Sequence, residues 1–472
     1  MIKRIPIERL IVVSNREPYS IKRGRSEKTV GGLVSALDGV MRSVGGVWIA
    51  SATERKDLKI TSYKVPFDDP AYTARLVVLN SFDMENYYNG YSNRLLWPLC
   101  HMALDRVYLR KRYWQSYVKV NRLFAEAVVD EIKKREWRTA FVWLQDYHLA
   151  LCAKFIKKLM PRVTVAMFWH IPWPPYDVFR VCPQRKEILE GVLANDLIGF
   201  QIDSFKTNFL RCVGKELGRG SGQNVDEVSH LGHVSRVKSF PISIDYDWFD
   251  SAASEERSIG FMRRFRKYKR LEGIKLGLAV DRLDYTKGLI KSLDAVDMFF
   301  SKYHKYQGKF TYVQVAVPTR KVEPFLSYTE SVRKRVTEIN RKYSRGAWRP
   351  IEYIDRKIAH RDLAALYRGA DFAKIGSIYD GMNLVAKEYA ASQVDLNGVL
   401  LISEFAGAAE DLPGATVINP YDIEGCADAM KEALERPIAD KRTEMQRARW
   451  YIKEMDINRW VYDILKEMKT IK

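Results

Sequence analysis

The run Lys275-Leu276-Gly277-Leu278-Ala279-Val280, followed at once by Asp281-Arg282-Leu283-Asp284-Tyr285-Thr286-Lys287-Gly288, decides how the rest of the chain is read. Residues without polar alternation mark a strand covered on both faces, as in a parallel sheet. The polar stretch behind it carries two cations and ends on a glycine, and an apolar helical pattern starts near Leu289. Strand, charged loop and helix in that order make one βα unit.

Working outward, the same order recurs. Leu10-Ile11-Val12-Val13 stops at Ser14-Asn15-Arg16, and Val30-Gly31-Gly32-Leu33-Val34 opens a helical pattern through Leu37 and Val40. Ala140-Phe141-Val142-Trp143-Leu144 ends at Gln145-Asp146-Tyr147-His148. The run from Val163 to Trp169 ends at His170-Ile171-Pro172, and Leu197-Ile198-Gly199-Phe200 ends at Gln201. In the second half, Thr311 to Val317 gives way to Pro318-Thr319-Arg320, and Val399 to Ile402 gives way to Ser403-Glu404. This predicts an α/β chain of two Rossmann-like parallel-sheet domains, residues 1–244 and 245–455. An amphipathic helix over 456–472, with Trp460, Val461, Ile464 and Leu465 on one face, is expected to pack back on the first domain. In both halves polar residues gather just past the carboxyl ends of strands, the edge where open parallel sheets bind ligands. Two domains turning those edges inward would face each other across a cleft.

Composition narrows the class. A chain of 472 residues can bury two cores. The five cysteines (Cys100, Cys152, Cys182, Cys212, Cys426) form no CxxC pair, which fits a reducing, cytoplasmic setting and no zinc knuckle. Glu8 and Arg9 interrupt the apolar start, so no secretory leader is read there, and no run approaches the roughly 18 apolar residues needed to span a bilayer. The net charge of +20 suits anionic ligands. Its densest stretches, Arg263 to Arg270 and Arg333 to Arg349, read as solvated helix faces rather than a nucleic acid surface.

Three motifs carry chemistry. Arg282 and Lys287 supply a planar fork and a point charge, the pair that a departing diphosphate needs where negative charge develops. Asp380-Gly381-Met382-Asn383-Leu384-Val385 turns into a helix whose first N–H groups can hold phosphate, although Asp380 alone reads equally as an N-cap. Glu388, one turn past Leu384, could accept hydrogen bonds from sugar hydroxyls. Gly31-Gly32 before a helix is either a tight turn or a phosphate approach, and it lacks both dinucleotide and P-loop spacing. His170 is read as structural or catalytic, Asp146 as part of a polar site. Tyr88, Asn89, Ser92, Asn93 and Trp97 form either a sugar-binding surface or a turn.

Taken together, VVSNR, VGGL, YYNGYSNRLLWP, QDYHL, HIPWP, DRLDYTKG and DGMNLVAKEY occur in this order from residue 12 to residue 389. They resemble the trehalose-6-phosphate synthases, retaining glycosyltransferases of the two-Rossmann GT-B type. The resemblance implies that Arg16, Tyr88, Trp97 and Arg320 bind the sugar-phosphate acceptor and that Asp146 contacts its sugar. It implies that Arg282 and Lys287 hold the donor diphosphate, His170 and Asp380 contact donor glucose, and Glu388 binds the ribose. Gly32 falls close to the donor phosphate, and Gly381 to Val385 line the donor. Arg282, Lys287, His170 and Asp380 are the expected catalytic set.

The implied reaction moves glucose from a nucleotide diphosphate glucose to glucose 6-phosphate. The acceptor hydroxyl attacks on the face the diphosphate leaves, and domain closure excludes water. No carboxylate pair of the glycosidase type, about 5 Å apart, is assignable. No cofactor and no metal site are expected, since the nucleotide sugar is a substrate. The partners expected are small-molecule substrates, without membrane or nucleic acid, and a homo-oligomer is left open. Tyr379, Trp173 and Gln145 depart from the family's pattern. A sister transferase using another phosphorylated acceptor such as glycerol 3-phosphate, or a non-catalytic sugar-phosphate sensor, is the alternative reading.

Overall fold

The computed structural model describes residues 7–22, 25–28, 32–53, 61–218, 226–318 and 323–471. These form two compact units, Met1–Pro241 with Asn458–Lys472, and Ile242–Ile457.

The first unit contains β1 (Leu10–Ser14), β2 (Tyr19–Lys22), β3 (Arg25–Lys28), β4 (Val47–Thr53), β5 (Ser62–Val65), β6 (Tyr72–Leu79), β7 (Phe141–Gln145), β8 (Thr164–Phe168), β9 (Leu197–Phe200), β10 (Glu227–His230) and β11 (His233–Ser239). Strands β2 and β3 make a separate hairpin. The others form one sheet in the order β10-β11-β9-β8-β7-β1-β4-β6-β5. Its centre is parallel, with Ile11 beside Val47 on one side and Leu10 beside Phe141 on the other. Only β5 and β10, at the two edges, run antiparallel to their neighbours among the described residues. All five residues of β1 and all four of β9 are buried, as covered faces require.

The helix Ile457–Thr470 lies in this unit from Asn458 onward. Trp460, Val461, Ile464, Leu465 and Met468 are buried along one stripe. The Trp460 ring meets Trp143 at 5.4 Å and Phe168 at 5.0 Å, and its Nε1 donates to the Phe240 carbonyl at 2.9 Å. The indole thus buries its area while keeping a polar partner.

The second unit contains β12 (Lys275–Arg282), β13 (Phe310–Val317), β14 (Ile351–Ile354), β15 (Phe372–Ile375), β16 (Val399–Ser403) and β17 (Thr416–Ile418). All six are parallel, in the order β14-β13-β12-β15-β16-β17. Counted from the unit's first strand this is the order 3-2-1-4-5-6 of doubly wound sheets. The centre of the first unit's sheet has the same order, with β1, β4 and β6 on one side and β7, β8 and β9 on the other. The core on one face of the second sheet is aromatic: Phe299 meets Phe310 at 5.0 Å, and Phe300 meets Trp348 at 5.6 Å. Each such ring contributes about 1.5–3 kcal/mol by leaving water.

Most basic side chains of the two stretches are exposed, as on solvated helix faces, and a few are engaged locally. Arg266 turns inward and donates to the carbonyls of Leu271, Ile274 and Gly369, at 3.1, 2.7 and 3.0 Å. Arg335 bridges Asp294 and Asp297, and Arg333 pairs with Asp355. No described helix is long and apolar enough to cross a membrane.

Candidate active site

A doubly wound sheet leaves a crevice where neighbouring strands send their connections to opposite faces, and ligands bind there. In the second unit that point lies between β12 and β15, and it gathers the cationic motif and the Asp380 loop. β12 runs two residues past its apolar core, so Asp281 and Arg282 end the strand rather than begin the loop. Asp284 is buried and caps the next turn, accepting from the Thr286 backbone N–H and hydroxyl at 3.1 Å each. Gly288 follows with φ +66°, and a Cβ there would stand 2.2 Å from the Gly376 carbonyl oxygen. Only glycine lets the turn after β12 come this close to the segment after β15. The helix Leu289–Lys302 starts at the next residue.

That approach brings Lys287 onto Asp380. Their side chains, about one-tenth exposed, form an ion pair. Asp380 also accepts from Ser377 Oγ at 3.2 Å and Asn383 Nδ2 at 3.1 Å. Asp380 is not the helix cap. Asn383 takes that place in a left-handed conformation, φ +82°, and its side chain accepts from the Ala386 N–H at 3.3 Å. The helix Leu384–Ser392 therefore begins four residues past Asp380. The loop is pinned from behind by the N–H groups of Gly407 and Ala408, which donate to the carbonyls of Asp380 and Met382 at 3.1 and 2.8 Å. Gly381 and Met382 are buried in it, and the first-turn N–H groups of Leu384 and Val385 lack intrahelical acceptors by geometry.

Arg282 keeps a side chain 36% exposed, with Asp284 3.8 Å away. Glu388 accepts from the Tyr367 hydroxyl at 2.8 Å, and burial raises its carboxyl above the usual range. Asp281 had no assigned role in the sequence. Burial pushes it to about 7, against the pull of Lys287. Being the first polar residue after an apolar strand was its signal.

In the first unit the corresponding point lies between β1 and β7. Arg16 follows β1 and is exposed. The Tyr88 phenol, with Tyr147 and Asp146, raises its guanidinium. Asp146 follows β7 with φ 75° and ψ 168°, a region populated almost entirely by glycine. Its N–H donates to the Phe168 carbonyl at 2.8 Å, and its Oδ1 accepts from the His170 N–H at 3.1 Å. Burial lifts this carboxyl to about 7, although the N–H groups of Tyr147, His170 and Ile171 and the charge of Arg16 pull it down.

Tyr88 and its neighbours are not in a turn. Glu85–Leu96 is a π-helix, with the Trp97 N–H reaching back to the Ser92 carbonyl. Such helices are rare and concentrate at functional sites. The wide coil buries Tyr87 and Tyr91 against Tyr117, at 5.8 and 4.5 Å, and leaves Tyr88 half-buried, stacked on His148 at 5.6 Å and 16°. Trp97 is buried beside His101 at 4.1 Å and Tyr147 at 6.1 Å.

Two buried residues of the helix Lys111–Lys134 hold the segment after Asp146, and sequence reading missed both. The Tyr117 hydroxyl donates to the Tyr147 carbonyl and accepts from the Ala150 N–H. Asn121 donates to the His148 carbonyl at 3.1 Å and accepts from the Leu151 N–H at 3.1 Å. A polar residue inside an apolar helix face was the available signal.

His170 stands beside Asp146, with burial lowering its imidazole to about 3. Trp173 is core, its ring 4.7 Å from Trp169 and 4.8 Å from Phe209. Gly32 opens the helix Gly32–Val44. Gly31 and Arg320 lie outside the described residues. Among the described residues, no group of three His, Cys, Asp or Glu side chains is placed to hold a metal ion.

The sequence profile of glycosyltransferase family 20 matches residues 8–470. The chain belongs to glycosyltransferase family 20. Within this family it is 36% identical over 472 residues to a UDP-forming alpha,alpha-trehalose-phosphate synthase A of Dictyostelium discoideum, covering 98% of this chain and 62% of that protein. It is 35% identical to a trehalose-6-phosphate synthase of Mycobacterium avium, covering 96% of this chain and 94% of that one. A solved family structure, an E. coli trehalose-6-phosphate protein bound with UDP-2-fluoro glucose, superposes with TM-score 0.89 at 30% identity, covering 98% of this chain and all of that one. A UDP-forming synthase of Burkholderia xenovorans in complex with glucose-6-phosphate gives TM-score 0.88 at 28% identity, with the same coverage. The fold class is that of these GT-B enzymes.

Proposed function

We propose that this chain is a retaining glucosyltransferase that moves glucose from UDP-glucose to glucose 6-phosphate, making trehalose 6-phosphate. The observation that carries the reading is that a family 20 chain places Arg282, Lys287 and the Asp380 loop at one sheet's switch point and Arg16 and Asp146 at the other's.

In this reading Ile242–Ile457 binds the donor. Arg282 and Lys287 hold the diphosphate together with the N–H groups at the start of Leu384–Ser392, where the helix dipole favours anions. Gly381 to Val385 line the donor, Gly32 lies near its phosphate, Asp380 and His170 contact its glucose, and Glu388 accepts from ribose hydroxyls. The other unit binds the acceptor through Arg16, Tyr88, Trp97, Asp146 and Arg320. The bond between glucose C1 and the diphosphate oxygen breaks while the acceptor hydroxyl attacks from the same face. Its proton passes to the departing phosphate oxygen. Arg282 and Lys287 stabilise the charge that develops there. The ion pair with Asp380 holds Lys287 beside the helix start, where the diphosphate would meet it. Small-molecule substrates are the partners in this reading and no cofactor is used. The five buried, unpaired cysteines support a cytoplasmic setting.

The test crosses UDP-, ADP- and GDP-glucose with glucose 6-phosphate, glycerol 3-phosphate and free glucose, and reads nucleotide release and product. Trehalose 6-phosphate from UDP-glucose and glucose 6-phosphate is expected. Turnover confined to glycerol 3-phosphate would replace the acceptor, and no turnover in any pairing would overturn the assignment.

A further inference from the structure

Gln145 ends β7, beside Phe168 of β8, and is buried. Its Oε1 lies 2.9 Å from Nε2 of His170. A carboxamide oxygen accepts and cannot donate, so the ring nitrogen facing it is the one that carries hydrogen. The main chain of His170 is fixed at both ends of its peptide groups. Its N–H donates to Asp146 Oδ1 at 3.1 Å, and its carbonyl accepts from Gln201 Nε2 at 3.4 Å. Phe168 at 4.6 Å and Trp460 at 6.3 Å flank the ring. The elements around it thus present Gln145 and Asp146 from the end of β7, Phe168 from β8, Gln201 after β9 and Trp460 from the terminal helix. Asp146 is the one titratable group in that set, and burial rather than any charge keeps the imidazole neutral near pH 7. A neutral ring has one N–H and one acceptor nitrogen. Nδ1 has no protein partner among the described residues and is not among the closed-off polar atoms.

The cost of Gln145 points the same way. Its Nε2 is buried with no partner, which an apolar side chain of equal length would avoid. Packing alone therefore does not call for glutamine here, whereas an acceptor aimed at His170 does.

We infer that Gln145 is a positioning residue that fixes His170 as the Nε2–H tautomer and leaves Nδ1 as the acceptor for a substrate hydroxyl. The identity of that hydroxyl, on a sugar, rests on the proposed transferase reading; the tautomer does not.

The experiment is nitrogen NMR of unliganded, histidine-labelled protein, which has seven histidines, with His170 assigned from its loss in His170→Asn. The expected spectrum shows a neutral His170 protonated at Nε2. Gln145→Met should give a tautomer mixture and lower kcat about tenfold, the effect of one lost hydrogen bond, with the acceptor KM changed less than twofold. Gln145→Glu restores an acceptor, so Nε2–H should persist. A carboxylate there favours the imidazolium, so the acid limb of kcat should move to higher pH. Hydrogen on Nδ1 in the native protein, or an unchanged tautomer and kcat in Gln145→Met, would overturn the inference. Because the spectrum needs no substrate, failure of the transferase reading would appear in the donor and acceptor assays and leave this result standing.

Discussion

Past β1 and β7, the polar groups of the first unit are held among rings; past β12 and β15, those of the second are held by charges. Both places are switch points of the same strand order, so the fold offers each unit the same crevice. What fills it differs. Asp146, on a strained backbone, lies 3.9 Å from His148, whose ring meets Tyr147 and stacks on Tyr88 of the π-helix. Lys287 and Asp380 are paired beside a capped helix start. A sugar ring is well served by stacking faces and a carboxylate that accepts hydrogen bonds. A diphosphate is better served by fixed cations and N–H groups that need no rearrangement as charge develops.

The charges of the second unit should themselves divide into two kinds. Lys387 and Asp411 form a fully buried pair, with Lys387 also donating to the Ile242 carbonyl at 2.9 Å. Lys387→Met strands a buried carboxylate, and a loss of about 3–5 kcal/mol is expected, read as a fall in the urea midpoint. Arg282→Ala should do the reverse. Its side chain is partly exposed, so the midpoint should hardly move, while kcat falls about 10²–10³-fold. Equal stability losses in the two variants would erase the distinction.

Smaller effects probe the aromatic site. Asp146 is raised to about 7 in the folded chain from an ordinary 3.8. Below about 4 both folded and unfolded chains carry its proton, and between there and 7 the folded chain alone does. Its contribution to stability is therefore complete in acid and is lost as pH rises through about 7. Urea midpoints taken across that window should show a shallower decline in Asp146→Asn. Asp281, also raised to about 7, keeps part of the slope. The smallest change is Tyr88→Phe. It retains the stack on His148 but removes the hydroxyl beside Arg16, so a rise of about threefold to tenfold in acceptor KM is expected, with kcat nearly constant.

Much of this was legible because buried parallel strands write themselves as apolar runs. Leu197–Phe200 matches its run residue for residue, and Leu289 does begin a helix behind Gly288. The positions of polar residues at the strand ends were legible for the same reason, since a polar residue there has no core to enter. Other features leave no such mark. The π-helix over Glu85–Leu96 depends on packing Tyr87 and Tyr91 against Tyr117, a contact distant in sequence. The cap at Asn383 in place of Asp380 depends on Lys287 engaging the aspartate from another strand's loop. β4, β6 and β15 went unread because polar residues such as Ser51, Thr73 and Lys374 interrupt their apolar pattern.

The central claim is that the charged site, and not the aromatic one, binds the nucleotide diphosphate. Calorimetric titration of UDP into the native protein, Arg282→Ala and Arg16→Ala tests it most directly. The account predicts that UDP affinity collapses in Arg282→Ala and stays within about twofold of native in Arg16→Ala, since one lost charged hydrogen bond is worth at least tenfold. Loss of UDP binding in Arg16→Ala with retention in Arg282→Ala would contradict it.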